Sequence, residues 1–257
     1  MKTLLTLFGL LAASAALAQI PPSSDAADML SDAYTGTTYS PYAERQTALT
    51  PLWGDTHLHT GLSVDAGLFG ARLGLDDAYR FARGEEVLAS SNQRAKLGRP
   101  LDWLVIADHS DAMGFFNDLA AGDPAILKFD QAKPWYDGLQ KGGAASAEAA
   151  LDLITTFAQG KIDQGMMAEY SPGGRTYASI WDKVVDAAER FNEPGRFTAF
   201  IGFEWTSLVT GDNLHRNVVF RDGGEKAGRV VPFTTQPPVG STDPLDLYAY
   251  LERYEAD

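Results

Sequence analysis

Apolar residues along this chain recur in two rhythms, one of helices and one of buried strands. Leu75, Ala78, Tyr79 and Ala82 have helical spacing, and Gly84 stands where that helix should stop. An Ala-rich stretch over 145–159 reads as a helix ended by Gly160, its apolar stripe belonging to the core. Tyr177, Ile180, Trp181, Val184, Ala188 and Phe191 form a third stripe, closed by Pro194-Gly195. A last helix starts at Asp243-Pro244, with Leu247, Tyr248, Leu251 and Tyr254 on its buried side.

Continuous apolar runs mark the strands. Leu101–Ala107 reads as a buried parallel strand ending in Asp108-His109, and Phe197–Phe203 as another ending on Glu204. Leu52-Trp53-Gly54 is a short strand leading into Asp55-Thr-His-Leu-His59, and His215 opens a strand over 217–220. Glu86–Ser90 and Arg94–Leu97 form a hairpin around Asn92, whose Arg94, Lys96 and Arg99 are read as solvated. Trp53 and Trp205 are read as core. Strands alternating with helices predict one α/β domain over 51–257.

The first fifty residues follow neither rhythm. Lys2, the apolar run Leu4–Ala15 and Ala16-Leu17-Ala18 have the layout of a cleaved signal peptide over 1–18. Residues 19–50, rich in Pro, Ser, Asp, Thr and Ala, read as an extended leader. A periplasmic or secreted protein without a stable membrane anchor is the expectation. With no cysteine, it is neither a lipoprotein nor stapled by disulfides. A net charge of −13 repels nucleic acid and leaves no polybasic membrane contact. P-loop nucleotide hydrolysis and serine-esterase chemistry lack their motifs.

The candidate chemistry lies in four histidines, His57, His59, His109 and His215. In a strand, residues i and i+2 point the same way, so His57 and His59 would aim two imidazoles at one point. Alone the pair is a weak motif. It gains weight because Asp108 precedes His109 and Glu204 ends the apolar strand ahead of His215. A charge in that position costs several kcal/mol unless it is paired or metal-bound. Imidazole and carboxylate without thiolate suit Zn, Mn or Fe(II). Strand ends converging on one mouth would make a shared centre.

At this point the residues resemble a family. His57-Leu-His-Thr60 followed by Ser63, Asp65 and Gly67 resembles the first motif of the polymerase-and-histidinol-phosphatase (PHP) superfamily. Ile106-Ala-Asp-His-Ser110 resembles the second, and Gly202-Phe-Glu204 with His215 the third. The segments around residues 51–60 and 107–114 look like its secreted branch of unknown function. The resemblance implies a distorted (β/α)7 barrel holding two or three divalent ions. It implies hydrolysis of a small phosphate ester by a metal-bound hydroxide. It also implies a metal set of His57, His59, Asp65, Asp108, His109, Glu204 and His215, with Glu204 and Asp108 also catalytic. The superfamily's later histidine and Asp-x-His-type pair find no counterpart after His215, and the last helix has no strand to follow it. The expectation is therefore a domain incomplete at its C-terminus, and as given this chain would hold fewer ions and lack activity. The competing expectations are an amidohydrolase-type barrel and a non-catalytic metal-binding fragment.

Overall fold

A computed structural model describes residues 51–257, of which Leu52–Asp257 form one compact unit. The signal-peptide and leader expectations lie outside the described residues. In chain order the elements are β1 (Gly54–Leu58), α1 (Val64–Leu68), α2 (Leu75–Ala82), β2 (Val87–Leu88), β3 (Arg94–Ala95) and β4 (Trp103–Ile106). There follow α3 (Phe115–Ala121), α4 (Pro124–Leu127), α5 (Ala132–Lys141), α6 (Gly143–Ala158), α7 (Gln164–Glu169) and α8 (Arg175–Phe191). The chain ends with β5 (Thr198–Phe200), β6 (Gly202–Ser207), β7 (Leu214–Val219), α9 (Gly224–Ala227) and α10 (Pro244–Ala256). Among these, no helix is long and apolar enough to cross a membrane.

The architecture is mixed α/β around a parallel sheet in the order β1-β4-β5. The apolar run predicts the middle strand correctly. Leu104, Val105, Ile106 and Ala107 are all essentially inaccessible, as a strand covered on both faces must be. β1 lies on one side, with Gly54 opposite Trp103 and Leu58 opposite Ile106; one extra β1 residue interrupts the register between Asp55 and Leu58. A side chain at Gly54 would run into the Trp103 indole, so the residue must be small.

The second apolar run departs from the prediction. It is two segments, and Glu204 does not end it. Thr198, Ala199 and Phe200 pair with β4, after which β6 pairs antiparallel with β7. Glu204 is the third residue of β6, opposite Asn217. It still bridges to His109 in the parallel sense, with Glu204 N donating to Asp108 O at 2.9 Å and Ser110 N to Glu204 O at 2.8 Å. The strand therefore continues past its apolar run because β7 supplies a second partner. Gly202 is squeezed at the changeover, where a Cβ would lie 2.5 Å from Val105 Cγ1 and 2.7 Å from Val218 O.

The described strands pair as three sheets, β1-β4-β5, β2-β3 and β6-β7. β1 and β7 share no ladder; Asn217 Nδ2 donates to Thr56 O at 2.9 Å and ties the two. The expected strand–helix repeat is also absent between β4 and β5, where six helices intervene. Gly122 and Gly142, both at positive φ, cap and separate the short ones. In α6, Ala149, Ala150 and Leu153 of the predicted stripe are buried, whereas Leu151 is 66 % exposed and Ile154 is also exposed.

The helices at 75–82 and 175–191 match their stripes. Trp181 of α8 packs edge-on against Phe203 and beside Phe220, which seats the helix on the β6–β7 pair. In α10, Asp243 caps the N-terminus by accepting from Leu245 N at 2.9 Å. Leu247 and Tyr254 are buried, but Tyr248 is exposed, contrary to the stripe; Tyr250 stacks on Phe233 instead. Trp205 is fully buried as expected. Trp53 is 55 % exposed, because it precedes the edge strand β1 and nothing described covers its outer side. The hairpin is present and short, with Asn92 at φ 62° and Arg94 paired to Glu86 in solvent.

A methyl group at Gly202 must displace either Val105 or the β7 backbone. The Gly202→Ala variant is expected to lose about 1–3 kcal/mol of stability by overpacking, read as a lower urea midpoint. An unchanged midpoint would show that the β5–β6 changeover is slack.

Candidate metal centre

All four histidines of the chain reach one carboxylate. His57 Nε2 lies 3.2 Å and His215 Nδ1 2.6 Å from Glu204 Oε1; His59 Nε2 lies 2.8 Å and His109 Nδ1 3.3 Å from Oε2. They arrive from four places. His57 is in β1, His59 one residue past it, His109 past the end of β4, and His215 at the second position of β7. Glu204 differs from the prediction, approaching from within a strand. His215 stands at the start of a strand as expected, here an antiparallel one, so among the described residues β1 and β4 deliver theirs at parallel-strand C-terminal ends.

Three ligand sets emerge from this geometry: His57 with His59 and Glu204; His109 with Glu204 and His215; and His59 with Asp65 and His109. Six of the seven residues expected as ligands thus come together. Asp108 stands apart from all three sets. It is buried, and both its oxygens are taken by Thr60, through the backbone N–H to Oδ1 and the hydroxyl to Oδ2 at 2.7 Å. Its position is that of a brace, tying the end of β4 to the turn after His59. Burial pushes its carboxyl up to about 6, against the pull of the Thr60 donors.

The two carboxylates within the sets have different surroundings. The Glu204 side chain has no exposed surface, and neither oxygen makes a hydrogen bond; His59 Nε2 is likewise buried and unbonded. Asp65 is well supplied, accepting from Ser63 Oγ at 2.6 Å and Ala66 N at 2.6 Å, with His59 Nδ1 at 3.1 Å.

No lysine or arginine lies within ion-pairing range of Glu204 or Asp65 among the described residues, so the imidazoles carry all the compensation. Burial disfavours charge on each partner, yet the pairing dominates. His59 is raised to about 10 by Asp65 and Glu204. Glu204 falls to about 2 through His59, His109 and His57, and Asp65 falls well below the usual carboxylate range through His109, His59 and Ser63. Such a centre attracts positive charge strongly, whether protons or a cation.

The residues present fit a divalent ion. Buried carboxylate oxygens and an imidazole nitrogen without hydrogen-bond partners need a cation to satisfy them, and N/O donors without thiolate suit Zn, Mn or Fe(II).

A family model described as "Protein of unknown function (DUF3604)" matches residues 46–257. The chain belongs to that family. No curated protein and no solved structure matches it. For this DUF3604 chain, the description carries no activity, and a functional reading has to start from the cluster.

One residue of the centre escaped the sequence reading. Thr206, buried in β6, places Oγ1 3.1 Å from His109 Nδ1 and 3.0 Å from His215 Nδ1. It stands two positions after Glu204 on the same face of the strand, the spacing that singled out His57 and His59. The apolar face of β6 drew attention instead. Behind the cluster, a largely apolar pocket of about 260 Å³ lies between β1, α2 and the β2–β3 hairpin and touches His59 and Thr60. The larger groove of about 630 Å³ between β7 and α10 includes no residue of the three sets.

The Thr60–Asp108 brace makes a separate prediction. Thr60→Val removes the hydroxyl donor while keeping shape, so a buried carboxylate oxygen loses its partner. A loss of about 1–3 kcal/mol is expected in urea unfolding of metal-free protein. Wild-type stability would show that Asp108 is not braced through Oδ2.

Proposed function

We propose that this protein is a divalent-metal-dependent hydrolase, resembling the PHP superfamily, that acts on a phosphate ester. The observation that carries the reading is Glu204, a fully buried carboxylate facing all four imidazoles of the chain with neither oxygen hydrogen-bonded. A structural ion pair has no need of four histidines around one acid. The motif order, from His57-Leu-His59 through Asp108-His109 to Glu204 and His215, is further support, since each motif contributes to the same cluster. The parallel run β1-β4-β5 and the tie between β7 and β1 are compatible with part of a (β/α)7-like barrel.

In this reading His57, His59 and Glu204 would hold one ion, and His109, Glu204 and His215 a second, with the Glu204 carboxylate shared. Bound divalent ions lower the pKa of water and stabilise charge on a transferring phosphoryl group. The chain's own residues do the rest. Thr206 packs beside the Nδ1 edges of His109 and His215, the Thr60–Asp108 brace fixes the turn that carries His59, and the surrounding imidazoles hold Glu204 ionised against its burial. The exposed edges of His57 and His215, 46 % and 41 % accessible, leave the centre open to a substrate from the β1–β7 side.

Purified protein loaded with manganese or zinc is expected to retain at least one equivalent and to hydrolyse a generic phosphodiester or phosphomonoester. Glu204→Gln and His57→Ala should each lower that rate about a hundredfold or more, since loss of an orienting group around a metal already costs tenfold to hundredfold. Less than one equivalent in the wild type would sink the reading. Full metal retention with no hydrolysis of any ester would favour a non-catalytic metal-binding domain.

A further inference from the structure

The three ligand sets cannot all be filled at once. A neutral imidazole carries one N–H and one lone pair, so it ligates through one nitrogen only. His59 belongs to two sets through different nitrogens: Nε2 faces Glu204 Oε2 at 2.8 Å, and Nδ1 faces Asp65 Oδ1 at 3.1 Å. His109 is divided in the same way, with Nδ1 3.3 Å from Glu204 Oε2 and Nε2 3.4 Å from Asp65 Oδ2. Filling the sets around Glu204 uses the lone pairs of both rings and leaves each with an N–H directed at Asp65.

The two carboxylates decide which sets are filled. Glu204 has two buried oxygens and no hydrogen bond. Asp65 Oδ1 already accepts from the Ser63 hydroxyl and the Ala66 backbone at 2.6 Å each, which leaves that oxygen little capacity to bind an ion, and Oδ2 faces His59 Nδ1 at 3.2 Å and His109 Nε2 at 3.4 Å. Ser63 is itself held in place, because its Oγ accepts from His109 N at 3.2 Å. The loop that opens α1 thus presents a fixed, hydrogen-bonded carboxylate to the outer nitrogens of two rings.

We propose that Asp65 is a positioning residue and not a metal ligand: it accepts Nδ1–H of His59 and Nε2–H of His109, and so commits His59 to ligate through Nε2 and His109 through Nδ1. This rests on the metal reading above. It makes the centre dinuclear, with one acid outside it setting the tautomers of one histidine in each half. Carboxylates in that role orient metal-bound imidazoles and raise their basicity.

The test is a long-range ¹⁵N–¹H correlation spectrum of protein labelled with ¹⁵N-histidine and loaded with zinc, together with zinc stoichiometry for wild type and Asp65→Asn. Two zinc equivalents are expected in both proteins. The wild-type spectrum should show His59 as the Nδ1–H, Nε2-bound form and His109 as the reverse. Asp65→Asn should keep both ions but bind them about tenfold to hundredfold more weakly. Should that variant fail to fold, the wild-type spectrum decides alone. Zinc on Nδ1 of His59, or the loss of one equivalent in Asp65→Asn, would overturn the assignment while leaving a metal centre in place. A wild type that binds less than one zinc would overturn the metal reading and this assignment with it.

Discussion

The Glu204 carboxylate is closed off from solvent, and among the described residues its ion-pairing neighbours are the four imidazoles. Taking such a group out of water costs several kcal/mol unless a cation compensates it closely. The rest of the structure is arranged around that requirement. β6 must pass through the interior to carry the acid, β4 must end where His109 can face it, and β1 must bend so that His57 and His59 both reach it. If the acid is removed, four histidines are left crowded together with Asp65 as their remaining acidic contact. If a histidine is removed, a buried anion loses part of its only compensation.

Several local devices make this convergence possible. The extra residue in β1 shifts the register between Asp55 and Leu58, the stretch that carries His57, and both histidines reach Glu204 although β1 is an exposed edge strand. Gly202 lets β6 pass closely between β4 and β7, and that passage sets the depth of Glu204. Asp108 and Thr60 then join the two loops that carry His59 and His109. Beyond the turn, Asp111 accepts from Thr235 N and Oγ1, anchoring the same loop to the segment before α10. Hydrogen-bonded acids brace the loops, and an acid without hydrogen bonds lies at the centre.

Much of this was legible in the sequence where a residue's role depends on its near neighbours. The run 101–107 is apolar enough to be a strand covered on both faces, and the stripe from Tyr177 to Phe191 allows one helix and one buried side. The histidine pair and His109 past a strand end were also readable, and all three lie at the centre. What could not be read depended on partners distant in sequence. Glu204 looked like a strand terminus because the apolar run stopped there, and only pairing with β7 extends the strand beyond it. Trp53 looked like core, but β1 lies at an edge. The helices at 115–121 and 124–127, with Gly122 between them, are too short to show a period. Asp108 could not be told from a ligand by residue type, because the difference lies in the Thr60 donors that surround its oxygens.

Glu204 as the shared acid of a metal centre is the claim on which the account depends. Anomalous diffraction at the zinc edge, from crystals of zinc-loaded protein, tests it most directly. The account predicts two peaks, one beside His57, His59 and Glu204 and one beside His109, His215 and Glu204. No peak at the cluster, or zinc bound elsewhere with Glu204 still free of metal, would contradict it.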